Sequence, residues 1–260
     1  LQGLASGWVF FTEYFQNAAC FSTRFVWKLL AKLMIPESSR HIFTDFDSAL
    51  EDLRKNVLMM ASLTVRNIEN ARKGLFERDE DWCNTVIADD EEVDTLEIQV
   101  DRDGIETMLR FHPVASDLRQ VMAAMKMSVN LERVADQTVG IARRARKLNA
   151  HVLLPETAET EPLFRHAESM VLDAIKAYAD QNTELARTLK PRDRELDAMN
   201  RDFANKLTEL MPKRTEHIQG YLELIFIARF LERIGDQATS IAEDTVFAVA
   251  AEDIRHLQAG

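Results

Sequence analysis

The stretch LERVADQTVGIA at residues 131–142 returns as LERIGDQATSIA at residues 231–242, 100 positions later. Leu, Glu, Arg, Asp, Gln, Ile and Ala coincide, seven identities in twelve. The apolar skeleton upstream matches too: Leu118 with Ile218, Val121 with Tyr221, Met122 with Leu222, Met125 with Ile225 and Met127 with Ile227. These positions recur at helical spacing, so each copy reads as one long amphipathic helix. A repeat of this length exceeds a solenoid unit and is large enough to hold its own core. A duplicated three-helix bundle meets both conditions.

Two further helical patterns precede each copy. Thr44 or Asp45 offers an N-cap for a run through Leu50, Leu53, Val57, Met60, Leu63 and Ile68, ending near Gly74. A second run spans Asp79 to Arg110, and a third starts with Pro113 in its first turn and continues to Leu148. The patterns resume over residues 163–189, 191–211 and 215–251, with no competing strand signal. The chain is therefore predicted to be all-α: two tandem, pseudo-symmetric three-helix bundles, residues 37–149 and 163–260. Residues 150–162, with two prolines, read as the linker. Residues 1–36 form an N-terminal extension. Its first 33 residues are rich in aromatics, yet Glu13, Arg24, Lys28 and Lys32 interrupt them, so they fall short of the ~20 apolar residues of a membrane span. The first methionine is Met34, and residues 1–33 are expected to lie upstream of the natural start; an interfacial amphipathic extension is the competing reading.

Composition narrows the function. The 260 residues hold 43 Asp and Glu against 32 Lys and Arg, a net charge of −11 that disfavours nucleic acid as the main partner. Eight Gly and six Pro are too few to turn a β-sandwich. Cys20 and Cys83 stand alone, which excludes a disulfide framework or thiolate zinc site and suits a reducing compartment. No P-loop or G-x-G-x-x-G occurs, and no Ser-His-Asp or Cys-His pattern emerges from spacing. No enzymatic activity is expected.

The chemistry-bearing residues are carboxylates. Glu132 and Asp136 are four apart, as are Glu232 and Asp236, so each pair projects from one helix face. Each half carries a second such pair on its middle helix: Asp90 with Asp94, and Asp193 with Asp197. Chance alone would supply about seven acid pairs at this spacing in a chain this acidic, so one pair means little. Two pairs per half, on corresponding helices, mean more. At 100° per residue Glu132 and Asp136 continue the stripe of Leu118, Val121, Met122, Met125 and Val129, where surface acids would lie opposite. Gathered carboxylates repel, and a cation offsets that repulsion. All-oxygen ligands suit Mg, Mn or Ca and tolerate Fe; Zn ranks lower because no histidine falls in the motifs. Arg133 and Arg233 are expected as ion-pair partners of the acids.

LERVAD and LERIGD, the helices opening near DDEEVD and DRELD, and the segment PVASDLRQVMAAMKMSVNLERVAD together resemble the PhoU family, regulators of bacterial phosphate uptake. The resemblance covers about residues 40–250. It implies paired three-helix bundles, and metal sites of Mg, Mn, Fe or Zn at Glu132, Asp136, Glu232 and Asp236, supported by Asp90, Asp94, Asp193 and Asp197. It also implies a homodimer in the cytoplasm, held at the inner membrane face through a phosphate ABC transporter ATPase and a sensor histidine kinase. Ala135 departs from the family's Gly, which the second copy keeps as Gly235, and narrows space near the first site. Two other readings compete. A di-metal carboxylate oxidoreductase would use Glu-x-x-His, which this chain lacks. A plain helical scaffold would bind no specific metal.

Overall fold

A computed structural model describes residues 44–255; the expectations for residues 1–36 fall outside them. The described residues form α1 (Thr44–Phe76), α2 (Glu80–Phe111), α3 (Ser116–Asn149), α4 (Glu161–Asp180), α5 (Thr183–Arg187), α6 (Leu189–Leu210) and α7 (Ile218–Ala250), with no strand among them. Short 3₁₀ turns at Pro155–Thr160, Met211–Lys213 and Thr215–His217 complete the path. Helices α1–α3 make one bundle, and α4, α6 and α7 make the other. No described helix is long and apolar enough to cross a membrane.

Local chemistry sets most boundaries. Asp79 caps α2 by accepting the Asp81 N–H at 2.8 Å, and Glu80 and Asp81 face the positive end of the helix dipole. The chain before α2 is pinned to the C-terminal end of α3: Arg78 donates to the Asn149 and His151 carbonyls, and Asn149 donates to the Gly74 carbonyl at 2.9 Å. Helix α1 runs past Gly74 to Phe76. Gly74 is a close-packing position, because a Cβ there would collide with the Cys83 sulfur of α2.

Three expected boundaries change. Pro113 does not open α3: His112 before it is left-handed (φ 48°), Ala115 after it also has a positive φ (51°), and α3 starts at Ser116. The residue before a proline resists the helical region, so α2 closes ahead of it. The expected helix over 163–189 breaks at Gln181 (φ 52°); Asn182 then caps α5 by accepting the Leu185 N–H at 3.0 Å. The segment read as a linker is packed: Glu156, Thr157 and Thr160 in its 3₁₀ turn are buried, and Arg214 donates to Glu156 at 3.0 Å.

The bundles meet along α3 and α7, each of which packs against its own bundle and against the other. The pairing is antiparallel. Arg119 donates to the Ala248 carbonyl, Lys126 pairs with Asp244 at 2.8 Å, Gly140 lies under the Phe230 ring, and Arg144 pairs with Glu223 at 2.9 Å. Helices α1 and α4 repeat the pattern through Arg54 to the Ala179 carbonyl, Arg72 with Glu161, and an edge-to-face contact of Phe76 with Phe164. This arrangement explains why α3 and α7 are apolar on two sides. Met127, Leu131, Val134 and Ile141 are fully or nearly fully buried, as are Ile227, Leu231, Ile234 and Ile241. The stripe ending in Glu132 is instead the margin of the core: Val121 is buried, but Met122 and its counterpart Leu222 are exposed.

Candidate functional site

The eight acids fall into two groups, one per bundle, each spanning the middle and last helices. In the first, Asp90 and Asp94 come from α2, and Glu132 and Asp136 from α3. Burial raises the Asp90 carboxyl, and the charges of Asp94 and Asp136 add to it while Arg143 opposes. Burial pushes Glu132 up to about 7, helped by Asp136, Glu97 and Asp94. Across the two helices, Asp136 of α3 thus acts on Asp90, and Asp94 and Glu97 of α2 act on Glu132.

In the second group Asp193 and Asp197 come from α6, and Glu232 and Asp236 from α7. Burial pushes Asp193 up to about 7, with Asp236, Asp197, Glu232 and Glu243 adding. Burial and neighbouring acids also raise Glu232 and Asp236, against Arg229 and Arg233. Here two carboxylate oxygens, Asp193 Oδ1 and Glu232 Oε2, are buried with no hydrogen-bond partner. A buried unmet acceptor costs free energy, on the order of 1–3 kcal/mol. Glu232 itself is only 8% exposed. The donors are all oxygens, which suits a hard cation; Asp193 and Glu232 supply the desolvated ones, whereas Asp236 is exposed and Asp197 half-buried.

The side chains do not form a ready-made cage. Among the described residues, no three His, Cys, Asp or Glu side chains converge tightly enough to hold one metal ion as they stand. Three acids that the sequence reading passed over belong to the same surroundings: Glu97 and Asp101 in the first group, and Glu243 in the second. Their signal was present, since Glu97 follows Asp94 by three and Asp101 follows Glu97 by four, continuing one face of α2.

The expected ion-pair partners are corrected. Arg133 and Arg233 form no close ion pair among the described residues, and both are exposed, because neighbours one residue apart on a helix point about 100° away from each other; their charges still oppose the rise of Glu132 and Glu97, and of Glu232 and Asp236. Arg229, one turn earlier, takes the role instead and donates to Glu232 Oε1 at 2.7 Å. The first copy has Val129 at that position, so Glu132 lacks the equivalent partner.

Both halves match the PhoU domain model, over residues 57–145 and 161–245. The chain belongs to the PhoU family. Its PhoU relatives include the phosphate-specific transport system accessory protein PhoU homolog of Xylella fastidiosa, 30% identical over 82% of this chain and 90% of the relative. The accessory protein PhoU of Escherichia coli K12 is 29% identical over 84% of this chain and 91% of its own. The crystal structure of PhoU from Pseudomonas aeruginosa superimposes with a TM-score of 0.78 at 29% identity, covering 80% of this chain and all of that one. The phosphate transport system regulatory protein PhoU from Streptococcus pneumoniae shares the fold, with a TM-score of 0.74.

Within this PhoU chain the departure at Ala135 has a structural counterpart. A Cβ on Gly235 would stand 2.6 Å from Leu196 Cδ2 and 3.3 Å from Asp193 Oδ1, so glycine lets α6 and its carboxylate approach α7. Leu196 follows Asp193 by three; the residue placed likewise after Asp90 is the smaller Val93. By position, Gly235 and Leu196 in one bundle correspond to Ala135 and Val93 in the other, at similar total volume. Gly235→Ala is expected to destabilise by about 1–2 kcal/mol, and adding Leu196→Val should recover most of it. Urea unfolding of the two variants checks this; a double variant no better than the single would show that the methyl group's cost lies elsewhere.

Proposed function

We propose that this protein is a cytoplasmic, non-enzymatic regulator that restrains a phosphate-specific ABC transporter and phosphate-starvation signalling through protein contacts. The observation that carries this reading is the match of both bundles to the PhoU domain, alongside relatives named as accessory proteins of phosphate-specific transport. Its partners are the transporter ATPase and a sensor histidine kinase at the inner face of the membrane, and it acts as a homodimer.

In this reading the two carboxylate groups hold divalent or iron cations. Asp193, Asp197, Glu232 and Asp236 form the better-prepared site, because two of its oxygens are already desolvated and unpaired. Asp90, Asp94, Glu132 and Asp136, with Glu97, form the other. A bound cation would neutralise the acids, tie the middle helix of each bundle to the last, and leave positive charge open to an anionic partner group. The protein's own part is to set the α2 acids beside those of α3, and the α6 acids beside those of α7.

Deleting the gene should raise phosphate uptake and accumulation in phosphate-replete cells by several-fold, and the full chain supplied in trans should reverse this. Pull-down from the same cells should recover the transporter ATPase or the kinase. Normal phosphate content in the deletion strain would overturn the regulatory role.

A further inference from the structure

One cleft uses none of the eight acids. It lies where the C-terminal turns of α3 meet α7 and the start of α2, and Arg143, Arg144, Arg146, Lys147, Phe230 and Glu80 line it. Its volume is about 620 Å³, within the range of small-molecule sites. Four cationic side chains within five residues are notable in a chain of net charge −11. The repeat makes the contrast sharper: 100 positions later the same places hold Glu243, Asp244, Val246 and Phe247. This charge therefore belongs to one copy and is not required by the bundle.

The four cations differ in how far they are engaged. Arg144 pairs with buried Glu223 at 2.9 Å and lies over the Phe226 ring at 4.3 Å, and Lys147 is 3.9 Å from the same carboxylate. Arg143 and Arg146 are exposed and form no ion pair among the described residues, although the charge of Arg143 reaches Asp90 and that of Arg146 reaches Cys83. Their guanidinium groups offer planar, paired N–H donors suited to phosphoryl oxygens. Phe230, its ring lying over Gly140, supplies an aromatic wall, and Arg144 is already held by Glu223.

We propose that this cleft binds a nucleotide-sized polyphosphate anion, its phosphoryl groups on Arg143 and Arg146 and its ring against Phe230. A lone oxyanion would leave most of the volume and the aromatic wall unused. Glu80, also in the lining, repels acidic groups beside it and so favours the charged end of the ligand on the arginines.

The test is titration calorimetry on the full chain in EDTA at low salt, so that the carboxylate groups cannot recruit a metal–nucleotide complex. ATP should bind with a Kd on the order of 10–100 μM and inorganic pyrophosphate at least fivefold more weakly. Arg143→Gln with Arg146→Gln should weaken ATP at least tenfold, and Phe230→Leu should weaken ATP while leaving pyrophosphate unchanged. Arg194→Gln with Arg201→Gln, two exposed charges on α6, should change neither. Thermal melts confirm that each variant is folded. ATP binding weaker than about 1 mM, equal loss in the α6 control, or pyrophosphate binding as tightly as ATP would each overturn the assignment.

Discussion

In metal-free buffer the protein is expected to be less stable at pH 8 than at pH 5. Glu132 and Asp193 are held up to about 7 by burial and neighbouring acids, against ordinary carboxylate values near 4 in an unfolded chain. Between those limits the folded state binds more protons than the unfolded one, so stability falls as pH rises. The contribution is fully present below about pH 4 and lost as pH passes about 7. Both groups are partly open to water, which screens them, so about 1–3 kcal/mol in total is expected, or roughly 3–8 °C in Tm. Mn or Mg should restore stability more at pH 8 than at pH 5, because a cation favours the ionised acids. Glu132→Gln with Asp193→Asn should flatten the pH profile. Glu132→Gln with Glu232→Gln should abolish metal retention, read by elemental analysis of the purified protein. Metal content unchanged in that variant would remove the assigned sites, and a melting point that rises from pH 5 to 8 would contradict the electrostatics.

Arg144→Ala is expected to cost about 2–4 kcal/mol, the largest single-residue effect at the junction between bundles. Glu223 is 2% exposed and receives Arg144 at 2.9 Å; truncating the arginine leaves a buried carboxylate with Lys147 at 3.9 Å and Gln219 at 3.3 Å. The variant also loses the guanidinium face over Phe226. Glu223→Gln should cost less, about 1–2 kcal/mol, because it removes the charge that needs a partner. Replacing both, Arg144→Met with Glu223→Leu, should return close to the parent, since an apolar pair avoids desolvating two charges. Urea unfolding across this double-mutant cycle measures the coupling. Arg144→Ala within about 0.5 kcal/mol of the parent would show that the junction does not depend on this pair.

The helical class and the two bundles were readable from the repeat at 131–142 and 231–242 with the helical patterns around it, and the placement of acids on matching helices from the spacing within each pair. Each depends on a local rule: apolar residues at a period of 3.6, or side chains one turn apart sharing a face. Such rules act within one helix, so a string of residues suffices to apply them. They failed where a few local contacts compete. Gln181 and Asn182 end a helix whose apolar pattern continues, because an asparagine side chain can replace the backbone's own partner.

Other features needed the packing of one helix on another. With α3 and α7 apolar on two sides, periodicity alone could not tell the buried seam through Leu131 and Leu231 from the margin through Met122 and Leu222. The stranded oxygens of Asp193 and Glu232 arise because Gly235 admits α6 closely while Arg229 satisfies only one side of the glutamate. Whether a carboxylate is hydrated or desolvated depends on what lies across from it in space, and no spacing along the chain encodes that.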